Sequence, residues 1–84
     1  MINQKGYDKA IELKPGYANA YAIRGISYSK KGDLNTAIKD YNKAIELNPG
    51  DANAFANRGL AFKAKGMLKE AEQDFKTSEK LKQK

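Results

Sequence analysis

Lys9-Ala10-Ile11-Glu12-Leu13-Lys14-Pro15-Gly16 returns as Lys43-Ala44-Ile45-Glu46-Leu47-Asn48-Pro49-Gly50, differing only at Lys14 and Asn48. From Pro15 to Pro49 the displacement is 34 residues. It also carries Ala18-Asn19-Ala20-Tyr21-Ala22 onto Ala52-Asn53-Ala54-Phe55-Ala56, Arg24-Gly25 onto Arg58-Gly59, and Lys31-Gly32 onto Lys65-Gly66. Residue type and spacing recur together, which marks a stacked repeat: each unit is too small to bury its apolar face alone and covers it with its neighbour. A chain built in this way works by presenting a surface to another molecule.

Between these marks the apolar residues fall three and four apart, as in Leu34, Ala37, Ile38, Tyr41, Ala44 and Ile45, the stripe of an amphipathic helix. No segment shows the alternation of a strand. Pro15-Gly16 and Pro49-Gly50 interrupt the pattern, and Lys31-Gly32 and Lys65-Gly66 put glycine where a helix can end in a left-handed turn. The expectation is five helices, at about 2 to 13, 18 to 31, 34 to 47, 52 to 65 and 67 to 82. Asp33 and Asp51 stand where a side-chain oxygen caps the third and fourth helices, while Tyr17 and Met67 hold the equivalent places before the second and fifth and cannot cap. Connections this short allow only antiparallel neighbours, so the product is a row of helical hairpins.

Composition narrows the function. The 84 residues carry 16 Lys and Arg against 10 Asp and Glu, a net charge of +6, with 40% hydrophobic and 31% charged residues. That is one small domain, neither a disordered polyelectrolyte nor a membrane span, because no apolar run nears the roughly 18 residues a bilayer helix needs. The start Met1-Ile2-Asn3-Gln4-Lys5-Gly6 has none of the features of a secretory signal, which makes the cytoplasm the expected compartment. Cysteine and histidine are both absent, which removes thiolate chemistry, disulfides and the commonest neutral-pH base and metal ligand. Ser27, Ser29 and Ser78 have nothing to activate them, and no phosphate loop or metal-ligand spacing is present. The sequence argues against an enzyme and implies no cofactor and no metal. Charges are interleaved except for the tail Lys76, Lys80, Lys82 and Lys84, so nucleic acid or an anionic surface is the weaker reading of the basic balance.

Tyr21-x-x-Arg24-Gly25-x-x-Tyr28, then Ala37-x-x-x-Tyr41, then Pro49 resembles the tetratricopeptide repeat. The next copy supplies Phe55-x-x-Arg58-Gly59-x-x-Phe62 and Ala71-x-x-x-Phe75, with Gln83 in place of proline, and a half copy precedes both. The resemblance covers nearly the whole chain as two and a half repeats: a half repeat at 1–17, a repeat at 18–51 and a terminal repeat with a capping helix at 52–84. It implies an all-α fold, a right-handed α-α superhelix (solenoid) of antiparallel hairpins.

The matched residues have physical readings of their own. Gly25 and Gly59 sit inside helices, where glycine costs about 1 kcal/mol relative to alanine, so their recurrence implies a close approach that a side chain would block. Ala37 and Ala71 suit the same crossing. The rings of Tyr21, Tyr28 and Tyr41, mirrored by Phe55, Phe62 and Phe75, fill space between helices, and the exchange of tyrosine for phenylalanine says that the ring matters more than the hydroxyl. Arg24 and Arg58 depart from the leucine of the pattern. Each has an acid 16 residues on, Asp40 and Asp74, so the expectation is a pair across each hairpin, shared with a neighbouring repeat.

In this family the first helix of each repeat lines a concave groove in which a partner's peptide lies. The resemblance places Asn19, Ala22, Ile23, Ile26 and Lys30 of one copy on that face, with Asn53, Ala56, Asn57, Leu60, Lys63 and Ala64 of the next. Members that hold acidic C-terminal chaperone tails use lysines and asparagines over three inner helices. Of these only Asn57 has a counterpart here, while Ala22 and Ile26 stand where lysine and asparagine would be. The leading expectation is therefore an adaptor for a protein or peptide partner. The alternative is a homo-oligomer formed through Ile2, Tyr7, Ile11 and Leu13, which the half repeat leaves uncovered unless the chain is cut from a longer array, the favoured reading. At the other end Ile38 becomes Glu72, Ile45 becomes Glu79 and Ala44 becomes Ser78, which reads as a charged face closing the array.

Overall fold

The computed structural model describes residues 6, 8, 9, 11 and 16–83. Four helices lie among them, not five: α1 (Ala18–Lys30), α2 (Leu34–Leu47), α3 (Ala52–Ala64) and α4 (Leu68–Lys82). The expected first helix, at about 2 to 13 from its periodicity, falls mainly outside the described residues; the four described within it, Gly6, Asp8, Lys9 and Ile11, are helical. No strand occurs among the described residues.

Two chain reversals are built alike. After α1 the Gly32 N–H donates to Ser29 O and the Asp33 N–H to Tyr28 O; after α3 the Gly66 N–H donates to Lys63 O and the Met67 N–H to Phe62 O. This paired closure of the last turn needs a left-handed residue, and Gly32 and Gly66 supply it at φ +87° and +81°. The third reversal uses no left-handed residue: Asn48 ends α2, Pro49 cannot continue it, and the Gly50 N–H donates to Asn48 Oδ1. Asp33 caps α2 through the Thr36 N–H, and Asp51 caps α3 through the N–H groups of Asn53 and Ala54, whereas Tyr17 and Met67 make no side-chain cap.

The helices pack as α1 on α2 and α3 on α4, with α2 against α3 joining the two hairpins and a lighter contact between α1 and α3. Alanine is the residue of the crossings. Ala22, Ala44 and Ala54 meet in one buried cluster against Tyr21 and Ile45; Ala37, Tyr41 and Ala61 meet in another against Ile26, Tyr28, Leu34 and Ile38. Each cluster takes residues from α1 or α2 and from α3, so small side chains at these points let backbones approach and the larger neighbours fill the margins. Ile38 and Ile45 thus cover the junction to the following hairpin, as their loss at Glu72 and Glu79 suggested.

Gly25 and Gly59 owe their place to rings rather than to the alanines of the partner helix. A Cβ on Gly25 would stand 2.6 Å from Cε1 of Tyr41, and one on Gly59 would stand 2.8 Å from Cε1 of Phe75. Ser78 is also placed differently from its reading as part of an open end face. It is buried and donates 2.9 Å to the carbonyl of Ala52, tying α4 to the start of α3.

Candidate functional site

Arginine sets the spacing of the hairpins. Arg24 donates from Nε to Asp40 Oδ2 at 2.8 Å and from Nη2 to Asp40 Oδ1 at 2.7 Å, and Arg58 does the same to Asp74 at the same distances. The third nitrogen reaches back: Nη1 of Arg24 to Asp8 Oδ1 and Nη1 of Arg58 to Asn42 Oδ1, each at 2.9 Å. A fork with donors on two sides therefore holds its own hairpin and the unit before it. The hydrogen bonds to Asp40 raise the proton affinity of the Arg24 guanidinium against the opposing cost of burial, and Asp8 adds to the rise. Around each guanidinium stand two rings one turn either side, Tyr21 and Tyr28 at 5.7 and 5.9 Å from Arg24, Phe55 and Phe62 at 5.5 and 5.6 Å from Arg58. That contact uses the ring face, which explains why tyrosine and phenylalanine exchange between copies.

With the hairpins fixed in this register, α1 and α3 stand side by side and leave a groove of about 320 Å³ lined by Asn19, Ala22, Ile23, Ile26, Asp51, Asn53, Ala54 and Asn57. Six of the concave-face residues named from the sequence meet there: Asn19, Ala22, Ile23, Ile26, Asn53 and Asn57. Lys30, Ala56, Leu60, Lys63 and Ala64 do not line it. Leu60 is 57% exposed, Lys30 and Ala64 are exposed near the ends of their helices, and Ala56 is half-buried. Asp51 and Ala54 were missed. Ala54 is core, packed with Ala22 and Ala44, and Asp51, expected only as a cap, both caps α3 and lines the groove.

A second groove, about 640 Å³, lies on the outer face of α4, between Lys63, Leu68, Ala71, Glu72, Phe75, Lys76, Glu79, Lys80 and Gln83. Its apolar lining is Leu68, Ala71 and Phe75, with Leu68 64% exposed. The end face expected to be charged is therefore mixed, with an apolar strip beside its charged residues, among which Lys76 reaches Glu72 at 3.2 Å. Of the residues proposed for self-association, Ile2, Tyr7 and Leu13 lie outside the described residues, and Ile11 is half-buried. No helix among the described residues is long and apolar enough to cross a membrane.

A family model described as TPR repeat matches residues 25–66, and two described as tetratricopeptide repeat match residues 7–39 and 52–84. No curated protein matches the chain. Among solved structures, a crystal structure of MamA is 34% identical with a TM-score of 0.91, over 95% of this chain and 47% of that one. The second TPR domain of Spaghetti (RPAP3), bound to the HSP90 peptide SRMEEVD, is 36% identical with a TM-score of 0.90, over 93% of this chain and 72% of that one. The first TPR domain of the same protein, bound to the same peptide, is 27% identical with a TM-score of 0.91, over 93% and 62%. The chain spans about half the length of the MamA structure that it matches. Helical hairpins repeating at the family's period, and family matches that follow one another along the chain, lead to one conclusion: the chain belongs to the tetratricopeptide repeat family, whose domains are protein-interaction modules.

Proposed function

We propose that the chain binds an extended segment of a partner protein in the groove between α1 and α3. The observation that carries this reading is the meeting of three amide side chains, Asn19, Asn53 and Asn57, with Ile23 and Ile26 in one concave site. An asparagine both donates and accepts, as a peptide backbone requires, and the isoleucines offer an apolar seat for one side chain. The volume is at the low end of the roughly 300–1,000 Å³ of ligand sites, which suits one or two side chains of a peptide whose remainder lies across the mouth. The RPAP3 domains, similar in sequence and fold, were solved with a peptide bound.

Peptides selected from a random display library on the purified chain test this. Asn57→Ala and Ile26→Asp should each weaken the selected peptides about tenfold or more, as loss of a central contact does. Leu68→Asp, in the other groove, should leave them unchanged. The reverse pattern, with Leu68→Asp abolishing binding and the other two silent, rejects the reading.

A further inference from the structure

We infer that this groove selects a peptide bearing a cationic side chain beside an apolar one and excludes acidic tails, an inference that rests on the groove being the peptide site. Of the residues that line it, Asp51 is the one that carries a charge, among the described residues. Neither Lys30 nor Lys63 reaches it. Among the described residues, a carboxylate entering the groove therefore meets no cation and one anion on its walls.

The start of α3 offers such a carboxylate little compensation. Uncapped amides at a helix start attract anions, but here Asp51 Oδ1 already accepts from the N–H of Asn53 at 3.0 Å and of Ala54 at 3.3 Å. The anion site of this helix is occupied by the chain's own side chain. The corresponding place before α1 is Tyr17, which is neutral and makes no side-chain cap, so the start of α1 is the one part of the wall that favours an anion, and it carries no full charge to set against Asp51. The net charge of +6 pulls the other way, toward acidic ligands. At physiological ionic strength that pull decays over about 8 Å, so charges scattered over the surface act weakly inside the groove while Asp51 acts at contact. Charge complementarity then favours a lysine or arginine beside Asp51 with an aliphatic side chain against Ile23 and Ile26.

Asp51→Asn separates charge from structure, because asparagine caps a helix as well as aspartate does. Random heptapeptides are selected on the full chain, and their sites are mapped by amide shifts. Those that move Asn19, Asn53 and Asn57 should carry Lys or Arg. Changing that residue to Glu in the peptide should weaken binding about tenfold or more at about 0.15 M salt. Asp51→Asn should reduce that discrimination about threefold or more, because it removes the one contact charge. Asp51→Ser, a second capping residue, should do the same. Groove-mapped peptides that are acidic, or a discrimination unchanged in both variants, would overturn the charge inference and leave the groove standing. Selected peptides that map only elsewhere overturn the groove itself, and the inference with it.

Discussion

Gly25 lies under the ring of Tyr41, so near that a methyl group on it would stand 2.6 Å from Cε1 and 2.9 Å from Cδ1. Gly59 and Phe75 repeat the relation one unit on, at 2.8 and 3.0 Å. The surroundings of the two rings differ. Tyr41 is 2% exposed and hemmed in by Ala37 and Ala61, whereas Phe75 is half-buried and lines the open groove on α4. Alanine at either glycine gains about 1 kcal/mol of helix propensity but must displace a ring. Overpacking typically costs about 1–3 kcal/mol where nothing can yield. Gly25→Ala should therefore cost about 0–2 kcal/mol net, toward the upper end because Tyr41 is enclosed, and Gly59→Ala should cost less, because Phe75 has room to swing and the more firmly held neighbour, Asp74 Cβ, stands farther off at 3.2 Å. Urea denaturation of the two variants checks this; equal losses would show that both rings are equally confined.

The Arg24–Asp40 pair yields an unequal pair of single mutants. The Asp40 side chain is 6% exposed and that of Arg24 is 21% exposed. Arg24→Ala leaves a buried carboxylate unpaired, which costs about 3–5 kcal/mol. Asp40→Ala costs less, about 2 kcal/mol, since the arginine keeps Asp8 and has access to water. Arg24→Leu combined with Asp40→Ala should recover most of the loss, to within about 1 kcal/mol of the parent, because no buried charge then remains. Denaturation of the three variants measures it. An Asp40→Ala change within about 0.5 kcal/mol of the parent would mean that the pair does not hold the hairpin.

Burial raises the Tyr41 phenol above its ordinary range, the Asp40 charge raises it further, and the contact with Ser29 at 3.3 Å lowers it. A phenol that holds its proton more tightly when folded contributes stability that is intact below the unfolded value near 10 and is lost as pH climbs through the folded value. Stability should therefore fall more steeply above about pH 10 in the parent than in Tyr41→Phe. At neutral pH the same variant should lie within about 1 kcal/mol of the parent, since Phe75 holds the equivalent place and one hydrogen bond is lost. Thermal melts from neutral to alkaline pH distinguish the two; parallel curves would contradict the burial argument.

Tyr17 and Asp51 precede α1 and α3 with nearly the same backbone, φ −83° and ψ 92° against φ −82° and ψ 96°, yet only Asp51 caps. Tyr17→Asp should therefore gain a cap worth about 1 kcal/mol, offset in part by the lost ring. A rise in melting temperature with slower amide exchange at Asn19 and Ala20 is the expected result. No change in either would show that the start of α1 is held by other contacts.

These relationships differ in how far a single sequence discloses them. The hairpins, their ends at Gly32 and Gly66 and the Arg24–Asp40 and Arg58–Asp74 pairs follow from a period of two copies, because anything built twice at one spacing is visible as a spacing; the inward face of Ile23 and Asn57 is what the family resemblance implies. What occurs once is not. Ser78 stands in register with Ala44 and was read by the face of its charged neighbours; only the coordinates show its hydroxyl on the Ala52 carbonyl. Asp51 has no acidic counterpart at Tyr17, so nothing in the repeat marked it as a wall of the groove. The second groove was hidden for another reason. Glu72 and Glu79 dominate the sequence of α4, yet Leu68 and Phe75, two turns apart on the same face, line the groove beside them.

The presence of two grooves makes the location of a bound peptide the most direct test of the account. Backbone amide shifts of the isotope-labelled chain, followed during titration with a library-selected peptide, report that location. The largest changes should fall on Asn19, Ile23, Ile26, Asn53 and Asn57. Changes confined to Leu68, Phe75 and Glu79 on α4 would contradict that placement.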